Sequence, residues 1–201
     1  VHFHGSDATK RARNPRWKRH YRRLFRDATG LIAPSAFLAG RLANMGCDRA
    51  KLHVSPCGID LPEQEERRAR PKVFLAVGRL VEKKSPLSTL RAFAKVAEQD
   101  DEVTLDFAGD GPLMGDCRSE ADRLGITERV RFHGAVPHHT VVALMRDARA
   151  FVQHSVEASD GDCEGLPVAI LEAMGHSLPV VSTRHSGIPE AVSEGETGLL
   201  V

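Results

Sequence analysis

The chain has 201 residues, 41% hydrophobic and 27% charged, the balance of a folded globular protein and not of a disordered segment. Its 28 Lys and Arg against 27 Asp and Glu leave a net charge of +1, so the whole chain carries no electrostatic footprint for nucleic acid. No apolar run approaches the roughly 18 residues that a membrane-spanning helix needs.

Cys47, Cys57, Cys117 and Cys163 are scattered without C-x-x-C spacing. That pattern reads as reduced thiols in a cytoplasmic protein and argues against a zinc site. His138 and His139 are the only adjacent histidines, in an expected loop, so no metal site is predicted. The opening "VHFHGSD" has a strand under way, and the closing "TGLLV" is a strand with nothing after it, so a piece of a longer protein is expected.

In chain order, a basic segment follows the opening: Lys10 to Arg26 holds nine Lys or Arg in seventeen residues. Within it, Trp17, Tyr21, Leu24 and Ala28 recur at helical spacing. This fits a basic amphipathic helix on an anionic membrane, or an ordinary helix packing Trp17 and Leu24 inward. "TGLIAPS" reads as a strand, "SAFLAGRLANMG" as a helix closed by Gly46, and "KLHVSPCGID" as a strand. The polar run from Pro62 to Pro71 is the predicted linker.

From Lys72 the pattern is regular. Strands are predicted in "VFLAVGRL", "VTLDFAGDG", "VRFHGAV", "AFVQHS", "LPVVST" and "TGLLV". Helices are predicted in "SPLSTLRAFAKVAEQ", "PLMGDCRSEADRLG", "HTVVALMRDA", "PVAILEAMG" and "GIPEAVSEG". Leu87, Leu90, Phe93, Ala94 and Ala97 share one face of the first of these. Short apolar strands alternating with helices predict an α/β, doubly wound parallel sheet.

The stretch "DGDCEGLPVAILEAMG" places Glu164 and Glu172 eight positions apart, with a helix expected to start near Leu166 or Pro167 between them. Eight helical steps span about 12 Å. That exceeds the roughly 5–9.5 Å that separates paired glycosidase carboxylates. The spacing suits two groups gripping opposite ends of an elongated ligand, with phosphate at the helix N-terminus between them. The competing reading is a solvated glutamate beside a helix-terminal charge.

In "VGRLVEKKSP" the strand ends at Gly78, with Arg79 next and Lys84 five residues later. Ligands of open α/β sheets bind at the carboxyl ends of the strands, where such a pair can neutralise a diphosphate. Lys83 reads as an ordinary solvated charge. In "AGDGP", Gly109 and Gly111 permit close backbone approach to a ligand or simply form a turn; the G-x-G-x-x-G pattern is absent.

These pieces together resemble the family 4 retaining glycosyltransferases of GT-B fold, and within them a subgroup of exopolysaccharide and colanic-acid type. The matching elements are "HGSD", "APSAFLAGRLANMG", "CGID", "GRLVEKK", "FAGDGPL", "VRFHGAV", "DCEGLPVAILEAMGHSLPVVST" and "GIPEAVSEGETGLLV". The resemblance implies that residues 1–61 end an acceptor-side Rossmann-like domain, 62–71 link, and 72–201 form most of a nucleotide-sugar domain. It places Arg79 and Lys84 on the donor diphosphate, Glu164 beside the sugar and Glu172 on the ribose. The backbone at Gly165 and Leu166 would meet phosphate, His4 would reach the transferred sugar, and Asp7 belongs with His4.

The implied chemistry is metal-independent and cofactor-free transfer from a nucleotide-sugar to a sugar or lipid-linked acceptor. The departing diphosphate would be stabilised electrostatically. The amphipathic reading of residues 10–26, and not the resemblance, is what would add peripheral contact to the inner face of the cell membrane. A binding module without turnover, or a GT-B epimerase or phosphorylase, is the alternative. "FVQHS" departs from a common Pro-Ser, and "KKSP" from a common Lys-Gly.

Overall fold

The computed structural model describes residues 1–62 and 69–201; most of the predicted linker, 63–68, lies outside the described residues. The first lobe opens with a single bridge, His2 to Ile32, in place of a full strand. Helix α1 (Pro15–Asp27) starts at a proline, and the Asn14 side chain accepts from Arg16 N at 2.9 Å. Tyr21 and Phe25 are its buried residues. Of the expected inward pair, Leu24 packs partly buried against the lobe's core, while Trp17 stays 39% exposed with the Arg11 guanidinium 5.3 Å from its ring. Strand β1 (Leu31–Ala33), helix α2 (Ala36–Asn44) and strand β2 (Leu52–Val54) follow, with β1 and β2 parallel. Phe3, Tyr21, Phe25, Leu31, Leu38 and Leu42 share one core.

The second lobe alternates without interruption. Its elements are β3 (Val73–Val77), α3 (Pro86–Ala97), β4 (Thr104–Ala108), α4 (Met114–Arg123), β5 (Val130–Gly134) and α5 (His138–Asp147). Then come β6 (Ala150–Gln153), α6 (Val168–Gly175), β7 (Val180–Ser182), α7 (Ile188–Ala191) and β8 (Gly198–Leu200). The six strands are all parallel in the order β5-β4-β3-β6-β7-β8. Side chains alternate across β3: Phe74 and Ala76 join the core under α3 and α4, while Leu75 and Val77 face the core under α5, α6 and α7. The sheet is doubly wound.

Numbered within this lobe, the strand order is 3-2-1-4-5-6. The chain reverses direction of growth between β3 and β6, which opens a crevice at the carboxyl ends of these two strands. Among the described residues, no helix is long and apolar enough to cross a membrane.

Candidate functional site

Three loops leaving β3, β4 and β5 close one side of this crevice. Gly78 and Gly109 adopt φ of +137° and +144°, where side chains are strained. Gly78 N donates to Ala108 O at 2.9 Å, and Gly109 N to Gly134 O at 2.8 Å. A Cβ on Gly109 would collide with the Gly78 carbonyl, and one on Gly111 would stand 2.5 Å from Leu80 O. Gly109 and Gly111 therefore pack backbone on backbone. Gly78 has a different neighbour: a Cβ there would lie 2.8 Å from Lys84 Cε, so the missing side chain leaves the lane that the lysine stem occupies.

Lys84 ends a 3-10 turn, Glu82–Lys84, and folds back across Gly78. Its Nζ lies 3.2 Å from Glu164 Oε1 and 3.1 Å from Gln153 Oε1. The Glu164 contact is an ion pair and not an aligned hydrogen bond, since Oε1 is buried without a hydrogen-bond partner. Burial pushes the Lys84 ammonium below the usual lysine range; Glu164 opposes that shift, and Lys83 and Arg79 add to it. Arg79 itself is exposed.

Lys83 is not the solvated charge that the sequence suggests. Its side chain is 14% exposed, with Nζ 3.3 Å from Asp162 Oδ2 and 4.0 Å from Glu164 Oε2. Lys83 and Lys84 thus meet two carboxylates, Asp162 and Glu164, and the exposed Arg79 adds a third positive charge that acts on Lys84. The surplus is positive, and it suits an anion.

The loop from β6 to α6 is sewn to this wall. Glu82 accepts from Ser159 N and Oγ, both at 2.7 Å, and Val156 N donates to Lys83 O at 2.9 Å. It also docks on the first lobe. Lys10 pairs with Asp160 at 2.6 Å, Arg13 with Glu157, and Thr9 Oγ1 donates to Asp162 Oδ1 at 3.3 Å. A Cβ on Gly165 would stand 2.6 Å from His4 O, so a glycine is what lets His4 and the Glu164 loop meet.

The His4 ring is exposed and stacks on His2 at 6.1 Å. Asp7 has its carboxylate committed: it accepts from the backbone N–H groups of His4, Gly5 and Ala8 at 2.8–3.1 Å. It shapes the His4 turn.

Helix α6 begins at Val168, one or two residues later than expected. Pro167 sits at its N-cap in extended conformation with no side-chain cap. The N–H groups of Gly165, Leu166, Val168 and Ala169 donate to no acceptor among the described residues, while the Leu166 side chain is buried. Unfilled donors plus the helix dipole make a place for phosphate oxygens. Glu172 lies on the next turn, 3.9 Å from His138 Nε2. Glu164, Lys84, Gly78 and Gly165 therefore gather at one crevice, with His4 against its first-lobe side and Glu172 along α6.

Sequence reasoning missed Gln153, Lys83 and Asp162. Gln153 carried one signal: a polar amide closes the apolar strand "AFVQ" at its carboxyl end, where ligands of open α/β sheets bind. Among the described residues, no group of three or more His, Cys, Asp or Glu could hold a metal ion.

The family described as glycosyl transferases group 1 matches residues 59–201, and glycosyltransferase family 4 matches residues 1–63. The Escherichia coli protein WcaL, named as a colanic acid biosynthesis glycosyltransferase, is 37% identical over 203 aligned residues, covering 99% of this chain and 50% of that protein. The amylovoran biosynthesis glycosyltransferase AmsK of Erwinia amylovora is 33% identical, covering 98% of this chain and 50% of that protein. The chain thus spans about half the length of the curated relatives it matches. In fold it is similar to the Anabaena protein HepE solved in complex with UDP-glucose, with a TM-score of 0.82 and 23% identity over 100% of this chain and 57% of that one. The architecture is GT-B, and the chain belongs to the group 1 glycosyl transferases.

Proposed function

We propose that the full-length protein moves a sugar from a nucleoside diphosphate sugar to an acceptor hydroxyl, with retention, in the synthesis of a surface polysaccharide or glycolipid. The observation that carries this reading is Lys84. Its ammonium is held at the carboxyl end of β3, at the strand-order switch, 3.2 Å from Glu164.

In this reading Lys84 and Arg79 take the charge of the departing diphosphate, and the free N–H groups at Gly165, Leu166 and the start of α6 add to them. That division of labour needs no metal. Glu164 accepts from sugar hydroxyls, Glu172 from the ribose, and His4 reaches the transferred sugar from the first lobe. Residues 1–61 form the acceptor side, residues 72–201 the donor side, and 62–71 the connection. Gly78, Gly109 and Gly111 keep the floor close to the ligand, and Asp7 keeps His4 in place.

The acceptor is a sugar or a lipid-linked sugar met at the cytoplasmic face of the membrane. Supporting this, Arg16, Lys18, Arg19 and Arg22 on α1 are exposed and no acid pairs with them among the described residues. Sugar transfer by the full-length protein tests the reading. Glu164→Ala and Lys84→Ala should each lower turnover at least about a hundredfold. Full activity in both would refute it.

A further inference from the structure

Gln153 closes β6 at the switch point and is 4% exposed. A primary amide buried that deeply has to satisfy both of its ends. Its Oε1 accepts from Lys84 Nζ at 3.1 Å, and its Nε2 donates to Ser155 Oγ at 3.0 Å. The ammonium has only protons to offer, so the oxygen must face Lys84 and the NH₂ must face Ser155. The surrounding strand ends hold this orientation. Ser182 Oγ donates to Gln153 O at 2.7 Å, Ser155 N donates to Thr183 Oγ1 at 3.0 Å, and Thr183 Oγ1 donates back to Ser155 O at 2.9 Å.

Lys84 is therefore gripped from two sides by different chemistry. Glu164 attracts it and also neutralises it. Gln153 offers an acceptor with no charge, so it can hold the ammonium while leaving its positive charge for a ligand. A carboxylate at position 153 would cancel the surplus that the crevice keeps, and an apolar side chain would leave Lys84 to collapse onto Glu164.

We propose that Gln153, oriented by Ser155, is a positioning residue that holds the Lys84 ammonium at the carboxyl end of β3, where it meets the diphosphate of a nucleoside diphosphate sugar. This rests on the sugar-transfer reading above. Nothing in the local sequence assigns such a role, because the partner lies in a loop sixty-nine residues earlier.

Calorimetric titration of UDP and GDP into the full-length protein tests it. Gln153→Met keeps the volume and removes the acceptor, and it should weaken binding of whichever diphosphate binds the wild type about tenfold. In a Lys84→Ala background the same change should cost nothing further, since the group it positions is gone. Equal losses in both backgrounds, or none in the wild-type background, would overturn the proposal. Should Gln153→Met fail to fold, Ser155→Ala frees the amide to turn, and about a threefold loss confined to the Lys84 background is expected; a loss independent of Lys84 overturns the proposal there too. Failure of the parent reading looks different: Lys84→Ala alone would then leave diphosphate binding unchanged.

Discussion

Lys84 and Glu164 come from loops on opposite sides of the strand-order switch, yet Nζ and Oε1 stand 3.2 Å apart, with side chains only 19% and 10% exposed. Each is the main answer to the burial of the other. Gly78 lets the lysine stem through, and the loop that bears Glu164 is tied down by Glu82, Lys83 and the first lobe. The pair therefore belongs to the scaffold as well as to the site.

A consequence for stability follows from leaving one partner behind. Lys84→Met strands the Glu164 carboxylate with Lys83 4.0 Å away, and should destabilise the protein by about 3 kcal/mol. Lys84→Met combined with Glu164→Gln removes the stranded charge and should recover at least half of that loss. Urea denaturation of the single and double variants measures both. A double variant no more stable than Lys84→Met would mean that the two groups are not coupled.

Protonation of Lys84 sets a pH limit on anion binding. Burial lowers its pKa and Glu164 resists, so the ammonium is lost below the pH at which an exposed lysine titrates. Diphosphate affinity should fall as pH rises through that lowered value, and binding at high pH should take up a proton. In Lys84→Arg the falling limb should vanish, because a guanidinium stays charged throughout. Titrations across pH in buffers of different ionisation enthalpy read both effects.

Gly109→Ala and Gly115→Ala make a matched contrast. A Cβ on Gly109 meets the Gly78 carbonyl at a φ of +144°, so alanine should cost about 2–4 kcal/mol and loosen the wall beneath Lys84. Gly115, in α4, has nothing within 4 Å of its Cβ position, and alanine there should be neutral or stabilise by up to about 1 kcal/mol. Midpoints of chemical denaturation separate the two.

The outward cations of α1 should matter at a charged lipid surface. Changing Arg16, Arg19, Arg22 and Arg23 to Glu should abolish pelleting of the full-length protein with anionic liposomes, while Tyr21 and Phe25 keep the helix packed. Unchanged pelleting would sink the membrane contact.

Much of this was readable along the chain, because strands and helices announce themselves by periodicity. "VFLAVGRL" and "SPLSTLRAFAKVAEQ" became β3 and α3 with the expected apolar face inward. The strand order is tertiary pairing and has no local signature. The α6 boundary moved to Val168 since Pro167, in extended conformation, caps the helix instead of joining it. Lys83 looked cheap because Asp162 lies seventy-nine residues away in sequence and 3.3 Å away in space. The glycine that commonly follows this lysine acquires a reason, and its replacement by Ser85 has none in the structure: Ser85 has φ +38°, a left-handed conformation that glycine adopts without strain. Asp7 could be grouped with His4 from sequence, but only the fold shows its carboxylate occupied by backbone donors.

The most direct test of the crevice as a nucleoside diphosphate site is a crystal structure of the full-length protein with UDP or GDP bound. The diphosphate is predicted within hydrogen-bond distance of Lys84 Nζ and the free N–H groups at the start of α6, with the ribose hydroxyls on Glu172. A diphosphate bound elsewhere, out of reach of Lys84 Nζ and of the N–H groups at the start of α6, would contradict it.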